Sequence, residues 1–349
     1  MEKITIVSMA KELGIAPSTV SRAFDPSSRI SEPVREKILK YAESVGYVPN
    51  RAAARLSMGQ LKVGVAISNS YEYGANELLR GIRDAFRSLQ DYKLSLKVVL
   101  FDNVKNLKDG YASLMEELSD CECLILSGLS ASASRVINPI AKNIPVVMIQ
   151  SYVEGVDALF NSTIDASGAA VMAADLLALS LRDRPQKRVA LFTGSRSNVT
   201  HSSAASSFAH ACKELGMELV FSFDMQDSED VLARACADMP EADGIYITSG
   251  KSLSLCRKVE KIKNRPALVT FDIYPELGEY LKNGVICASI YQDMYHQSYN
   301  AFTLLVRYIL DRTAPPQTYS PVPQAVFAST LSYYLPPEPD LSDMDIIYM

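Results

Sequence analysis

From Leu61 onward the chain repeats one pattern: a short apolar run, then polar side chains, then a stretch of helical period. The runs are VGVAI (63–67), KVVL (97–100), CLIL (123–126), PVVMI (145–149), RVALF (188–192), ELVF (218–221), GIYIT (244–248), ALVTF (267–271) and ICASI (286–290). Segments such as 76–89, 166–179 and 203–215 carry the helical spacing between them. Strands that are apolar at nearly every position must be covered on both faces, and the intervening helices supply the cover. The pattern therefore predicts an α/β fold with parallel sheets. Its two series predict two doubly wound lobes.

Folds of this class bind ligands beyond the carboxyl ends of their strands. Those positions are polar here. Ser68-Asn69, Asp102-Asn103, Ser127 and Gln150-Ser151-Tyr152 follow the first four runs, and Gly194-Ser195, Ser249-Gly250, Asp272 and Gln292 follow runs of the second series. Strand-end Asp, Asn and Ser also cap following helices, and several of these do so on this reading. Two lobes with such edges facing each other make a cleft for a polar small molecule.

The first sixty residues read differently. Thr5 is placed to N-cap a helix whose apolar face is Ile6, Met9, Ala10 and Leu13, with Gly14 as its stop. Pro17 suits the first turn of a second helix, PSTVSRAF, because its missing N–H is of no consequence there. A third helix has Ser31 as its cap, Pro33 in its first turn and Val34, Ile38, Tyr41, Ala42 and Val45 as its stripe, with Gly46 ending it. The first two helices have the layout of a helix-turn-helix. Val20, Ala23 and Phe24 face inward, leaving Ser18, Thr19, Ser21 and Arg22 on the surface, donors suited to phosphates and to base edges in a major groove. A ligand-free three-helix bundle satisfies the same pattern equally well.

Charge leans toward the first reading. The chain carries a net charge of −5, yet nine basic and six acidic residues precede Leu61, leaving +3 on that piece and −8 beyond it. A basic end on an acidic body suggests a polyanion partner for that end alone.

Between the two parts lies NRAAARLSMGQ (50–60), a connector written in helix formers rather than in the Gly, Ser or Pro of plain linkers. Arg51 and Arg55 share one side, while Ala52, Ala53 and Leu56 make a small apolar strip. So short a helix is marginal alone.

These segments carry a resemblance. TIVSMAKELGIAPSTVSRAF (5–24) and ISEPVREKILKYAESVGYVPNRAAARL (30–56) resemble the DNA-binding headpiece of LacI-type bacterial transcription regulators, the most specific strings being TVSR (19–22) and GYVPNRAAARL (46–56). The body, to about Leu335, resembles the periplasmic-binding-protein-like effector domain of the same family, with FDIYPE (271–276) and ASIYQDMYHQSY (288–299) as the best local match.

The resemblance implies a DNA-binding headpiece at 1–48 and a hinge helix and linker at 49–60. An effector-binding and dimerisation domain follows at 61–336, with lobe 1 about 61–157 and 291–318, lobe 2 about 158–290 and 319–336, and a C-terminal tail at 337–349. It implies DNA contacts from Thr5, Pro17, Ser18, Thr19, Ser21, Arg22, Arg29, Ser31, Asn50, Ala53 and Leu56. Leu56 would act as a minor-groove wedge when two hinges pair on operator DNA, and an apolar wedge of this kind exchanges base stacking for a bent duplex. The implied effector contacts are Ser68, Asn69, Tyr73, Gln150, Thr200, Ser249, Asp272 and Gln292. The implied function is a DNA-binding repressor controlled by a small polar effector, a sugar or sugar derivative, acting as a homodimer in the bacterial cytoplasm. A nucleobase or other metabolite is the alternative effector.

The chain departs from the family pattern in places. Ala16 stands where a Ser or Thr often caps the second helix, and Ala204 stands where an Arg often anchors the ligand. Gln150 and Ser249 replace the usual strand-end groups, and with no Trp in the chain, Tyr71, Tyr73, Tyr152 and Tyr274 are the rings on offer. His201 or Arg196 are candidates for the missing cation. The Pro-rich, acidic tail PPEPDLSDMDIIYM lacks the sustained heptads of a coiled coil.

Other classes find little support. The six cysteines form no CxxC pair and lie in or beside apolar runs, which predicts buried thiols, and the three histidines lack zinc spacing, so neither metal nor cofactor is expected. GIYITSGKS (244–252) has five residues between its glycines where a phosphate-binding loop has four, and its first half is needed as strand. THSSAASS (200–207) lacks the GxSxG elbow of a hydrolase. No run reaches membrane-spanning length and no secretory signal opens the chain, so a membrane protein and an exported solute-binding protein are both disfavoured.

Overall fold

The computed structural model describes residues 5–24, 28–45, 47, 60–102, 110–226, 228–335, 341 and 344–349. The chain divides into two units, one of Met1–Gln60 with Gln90–Lys93 and the other of Leu61–Leu89 and Leu94–Met349.

The smaller unit holds helices α1 (Ile6–Leu13), α2 (Pro17–Ala23) and α3 (Glu32–Ser44). Thr5 forms a full capping box: its hydroxyl accepts from the Ser8 N–H at 3.1 Å and the Ser8 hydroxyl accepts from its own N–H at 2.8 Å. Gly14 ends α1 with φ +66°, a left-handed conformation that costs glycine little. Ala16 gives α2 no side-chain cap, and Pro17 takes the first turn. Ser31 stands at the N-cap of α3, but its side chain makes no cap bond, contrary to the sequence expectation. Pro33 has already removed one of the N–H groups that a cap would serve. Met9, Ala10, Val20, Ala23, Ile38 and Ala42 are buried together, ringed by Ile6, Leu13, Phe24, Val34, Tyr41 and Tyr47. Arg35 ties the bundle together, donating to the Ala23 carbonyl at 3.0 Å and the Ser28 carbonyl at 2.9 Å. A cation at the end of α2 also suits the helix dipole.

The larger unit contains two sheets. In the first lobe, β1 (Leu61–Ser68), β2 (Leu94–Phe101), β3 (Cys123–Leu126), β4 (Val146–Gln150), β5 (Phe160–Thr163), β11 (Thr318–Tyr319) and β13 (Ile346–Tyr348) line up in the order 11-5-4-3-1-2-13. The pairs in this sheet are parallel. In the second lobe, β6 (Arg188–Thr193), β7 (Glu218–Asp224), β8 (Gly244–Ile247), β9 (Ala267–Phe271), β10 (Ala288–Tyr291) and β12 (Gln324–Val326) line up as 12-10-9-8-6-7, with β12 antiparallel.

Helices α4 (Glu72–Ser88), α5 (Tyr111–Glu117) and α6 (Ser134–Ala141) accompany the first sheet; α7 (Ala166–Ser180), α8 (Val199–Glu214), α9 (Glu229–Asp238), α10 (Leu253–Glu260) and α11 (Pro275–Lys282) accompany the second. The last helix, α12 (Met294–Asp311), packs on α4. Gly81 permits that approach, since a Cβ there would sit 2.3 Å from the Tyr295 carbonyl oxygen. Most interior strand positions are fully buried.

Two boundaries differ from the sequence reading. Strand β5 belongs to the first sheet, so the chain leaves that lobe after Thr163 rather than at 158. FNST does not read as a buried strand, but Ser162 is fully buried and its hydroxyl donates to the Gln297 carbonyl on α12 at 2.8 Å. The C-terminal segment is also more than a tail: β13 adds to the edge of β2. Asn50, Ala53 and Leu56 of the expected hinge lie outside the described residues, as does most of 49–60. Among the described residues no helix is long and apolar enough to cross a membrane.

Candidate functional site

Each unit presents a candidate surface. On the smaller one, Val20 and Ala23 anchor α2, which leaves Pro17, Ser18, Ser21 and Arg22 exposed and Thr19 partly so. Arg29 and Ser31 are exposed beside the start of α3, and Thr5 is exposed at the start of α1. The helix thus offers three hydroxyls and one guanidinium to a partner, with the Pro17 ring the one apolar side chain among those five. Such a face fits phosphates and base edges better than a protein groove.

The larger unit has a cleft of about 360 Å³. Strand order reverses between β1 and β3 in one lobe and between β6 and β8 in the other. At such switch points the following loops part and leave a crevice. The loops after those four strands supply Ser70, Tyr71 and Ser130 from one lobe and Ser197, Thr248 and Lys251 from the other. Gln150, Thr200, Ser249, Asp272 and Gln292, all expected from the sequence, line the same cleft.

Three expected contacts lie elsewhere. Ser68 bonds Ser70 at 3.1 Å and packs beneath Gly128, where an added Cβ would lie 2.3 Å from its own. Asn69 donates to Asp102 at 3.4 Å. Tyr73 donates to Glu276 at 2.6 Å and stacks on Tyr274. Each is committed to a protein partner and none forms cleft wall.

Asp272 is the electrostatic centre. It is 3% exposed, and Gln292 Nε2 donates to its two oxygens at 2.9 and 3.1 Å. Burial pushes its carboxyl up to about 7, against smaller opposing effects from the Gln292 and Tyr71 side chains. Gln150 and Asp272 have φ +67° and +66°. Gln150 ends β4, Asp272 directly follows β9, and both side chains line the cleft. Non-glycine residues keep such angles only where surrounding structure dictates them.

The missing cation is partly resolved. Ala204 is buried in the second lobe's core, so that position on α8 does not face the cleft. Arg196 turns away to Ser222 and Thr193. His201 does line the cleft, with Nδ1 2.9 Å from Thr248 Oγ1. Lys251 lines it too and was missed, although the strand-end rule would have reached it two residues past Ser249. Glu154 was missed likewise. The cysteines are buried except Cys287, which is exposed just before β10 and corrects the expectation for that thiol. Burial raises the thiols of Cys121 and Cys236 to about 11 and those of Cys212 and Cys256 to about 12, leaving them inert.

Comparison with known proteins matches residues 5–50 to the model of bacterial regulatory proteins of the lacI family and residues 63–313 to a periplasmic binding protein domain. Catabolite control protein A of Priestia megaterium is 26% identical over 218 residues, 61% of this chain and 62% of that one. The probable HTH-type transcriptional repressor ExuR of Bacillus subtilis (strain 168) is 29% identical over 152 residues, 42% of this chain and 43% of that one. The matched stretch thus spans less than two thirds of either relative. Among solved structures, GanP, a glucose-galactose binding protein from Geobacillus stearothermophilus, superimposes with a TM-score of 0.68 at 20% identity, over 78% of this chain and 99% of that one. With a lacI-family region at its N-terminus and a periplasmic-binding-protein domain over most of its length, the chain belongs to the LacI family of bacterial regulatory proteins.

Proposed function

We propose that the chain is a transcriptional repressor that binds operator DNA through residues 1–48 and senses a neutral, hydroxyl-bearing effector, a sugar or sugar derivative, in the cleft of the larger unit. In this reading Pro17, Ser18, Thr19, Ser21, Arg22, Arg29, Ser31 and Thr5 meet DNA, and residues 49–60 form a hinge that orders on it, with Asn50 and Ala53 close to the groove and Leu56 as the wedge. The protein acts as a cytoplasmic homodimer and not as an enzyme. The effector domain begins at Leu61 and includes the C-terminal strand.

The observation that carries the sensing half is the cleft wall. Ser70, Ser130, Ser197, Thr200, Thr248 and Ser249 put hydroxyls around one buried carboxyl–amide pair, Asp272 and Gln292. Hydroxyls and amides that both donate and accept match a polyol better than an anion. The relatives named as a repressor and a catabolite control protein, and the glucose-galactose binding protein of like fold, support the same reading. Tyr71 and Tyr152 on the wall favour a planar metabolite as the second reading.

Effector binding and DNA binding are then linked by a coupling free energy that acts equally in both directions. The test is selection of DNA from a random duplex pool by the full-length protein, then anisotropy titration of the selected duplex with and without a panel of neutral sugars, uronic acids and nucleosides. A selected duplex whose affinity shifts at least 5-fold with one neutral sugar is expected. Failure to select any sequence removes the DNA half, and a response confined to nucleosides removes the sugar half.

A further inference from the structure

The cleft's two lobes are joined beside the cleft by side chains of the protein itself. Tyr71 and Tyr73, at the start of α4 in the first lobe, pack against the second lobe's core cluster. Tyr73 stacks on Tyr274 with ring centroids 4.7 Å apart and planes 15° apart. Its hydroxyl donates to Glu276, 2.6 Å from either carboxylate oxygen. Tyr71 meets both rings edge-on, at 6.4 Å from Tyr73 and 6.2 Å from Tyr274. Tyr274, for its part, donates to the Gly250 carbonyl at 2.9 Å and so fixes the loop beneath Tyr71.

The tip of Tyr71 reaches the polar centre of the cleft. A Cβ on Gly250 would lie 2.7 Å from the Tyr71 hydroxyl and 2.9 Å from Asp272 Oδ2, so glycine alone leaves room for the two groups to flank it. The hydroxyl is buried, and Tyr71, Gly250 and Asp272 all line the cleft. Burial and the nearby Asp272 push the phenol well above its ordinary range, which keeps it a neutral donor. The stack and the carboxylate bond of Tyr73 sit immediately beside it on the same helix.

We infer that Tyr71 and Tyr73 form an aromatic clasp that closes the lobes, and that Tyr71 is the residue that determines which effectors enter, because its phenol holds the seat beside Asp272. Tyr73 and Glu276 latch the clasp, and Tyr71 fills the seat. An effector that uses Asp272 either displaces the phenol and opens the clasp or binds beside it within the remaining volume. The inference deepens the proposed effector site but needs neither DNA nor effector to be tested, so its failure is separable from failure of the regulator reading.

The experiment measures lobe separation by paired spin labels at Ala112 on α5 and Ala233 on α9, both exposed, in full-length protein with Cys287→Ser. Tyr73→Phe removes a hydrogen bond to a charged group, so the ratio of open to closed lobes rises about 10-fold or more, and Glu276→Gln, which keeps an amide oxygen as acceptor but loses its charge, gives a smaller rise. Tyr71→Ala opens the lobes as well and leaves a phenol-shaped space. Millimolar phenol then binds Tyr71→Ala saturably, restores the short distance, and leaves the wild type unchanged. Tyr71→Phe serves as the variant that keeps the ring, with circular dichroism checking that each variant folds. Unchanged distances in both Tyr73→Phe and Glu276→Gln overturn the latch. Failure of phenol to bind folded Tyr71→Ala overturns the seat.

Discussion

The headpiece and the cleft solve the problem of presenting polar groups in opposite ways. In the headpiece most of the candidate residues stand on the outside of a seven-residue helix, and among the described residues six buried side chains hold it. In the body, Gln150 lies more than a hundred residues before Asp272 and Gln292 in the chain; all three come from strand ends, two of them at positive φ, over cores of many fully buried side chains. An exposed site needs only a rigid anchor. A buried polar site in a strained conformation needs a large scaffold to offset desolvation and to force the backbone angle.

The sharpest break in this comparison is Ile38→Ala. Ile38 is fully buried in a small core, so its truncation costs about 2–5 kcal/mol and unfolds the headpiece near room temperature. Calorimetry should show the body's transition unmoved; if both transitions move together, the two units do not fold separately.

Next is Asp272→Asn. Asp272 keeps its proton up to about 7 in the fold, whereas an unfolded Asp releases it near 4. Between those values the folded state binds more protons, so the body loses stability as pH rises from about 4 through 7, by up to about 4 kcal/mol. The Asn variant lacks this slope. Urea titrations at pH 5 and pH 8 measure the difference, and parallel pH profiles for the two proteins would mean that the carboxyl is ionised in the fold.

Arg22→Ala tests the exposed side of the comparison. Loss of the one guanidinium on α2 should weaken the selected duplex by about 1–3 kcal/mol while leaving thermal stability unchanged. A drop in melting temperature would show that Arg22 is structural instead. The smallest effect is Thr5→Ala, which removes the capping box and costs about 1 kcal/mol, visible as a lower midpoint for the headpiece transition alone.

Legibility followed how local each cause is. Thr5, Gly14 and Pro17 act within one turn of chain, and their roles were readable. Ser31 was read as a cap and is not one, because Pro33 changed what needed capping. The nine apolar runs all became strands, most of them buried on both faces, where a strand must be apolar; the edge strand β7 is only partly buried. FNST escaped because Ser162 satisfies its hydroxyl on α12, a partner 135 residues away. The edge strand β13 escaped because pairing with β2 depends on where the chain end returns.

In the cleft, strand-end polarity pointed to Gln150, Ser249, Asp272 and Gln292. It pointed equally to Ser68 and Asn69, which neighbouring groups claim instead. Tyr73 was expected to touch ligand and instead joins Glu276.

Alternating apolar runs, helix caps and two lacI-type strings pointed to the fold class, the division near residue 60 and the family, because periodicity, capping and short motifs are properties of consecutive residues. Which strand ends face a common cavity, that Asp272 holds its proton to about 7, and that Tyr71 stands beside it were decided only by the tertiary structure. Desolvation and side-chain partnership depend on what lies across the cleft, and no local stretch of sequence encodes that.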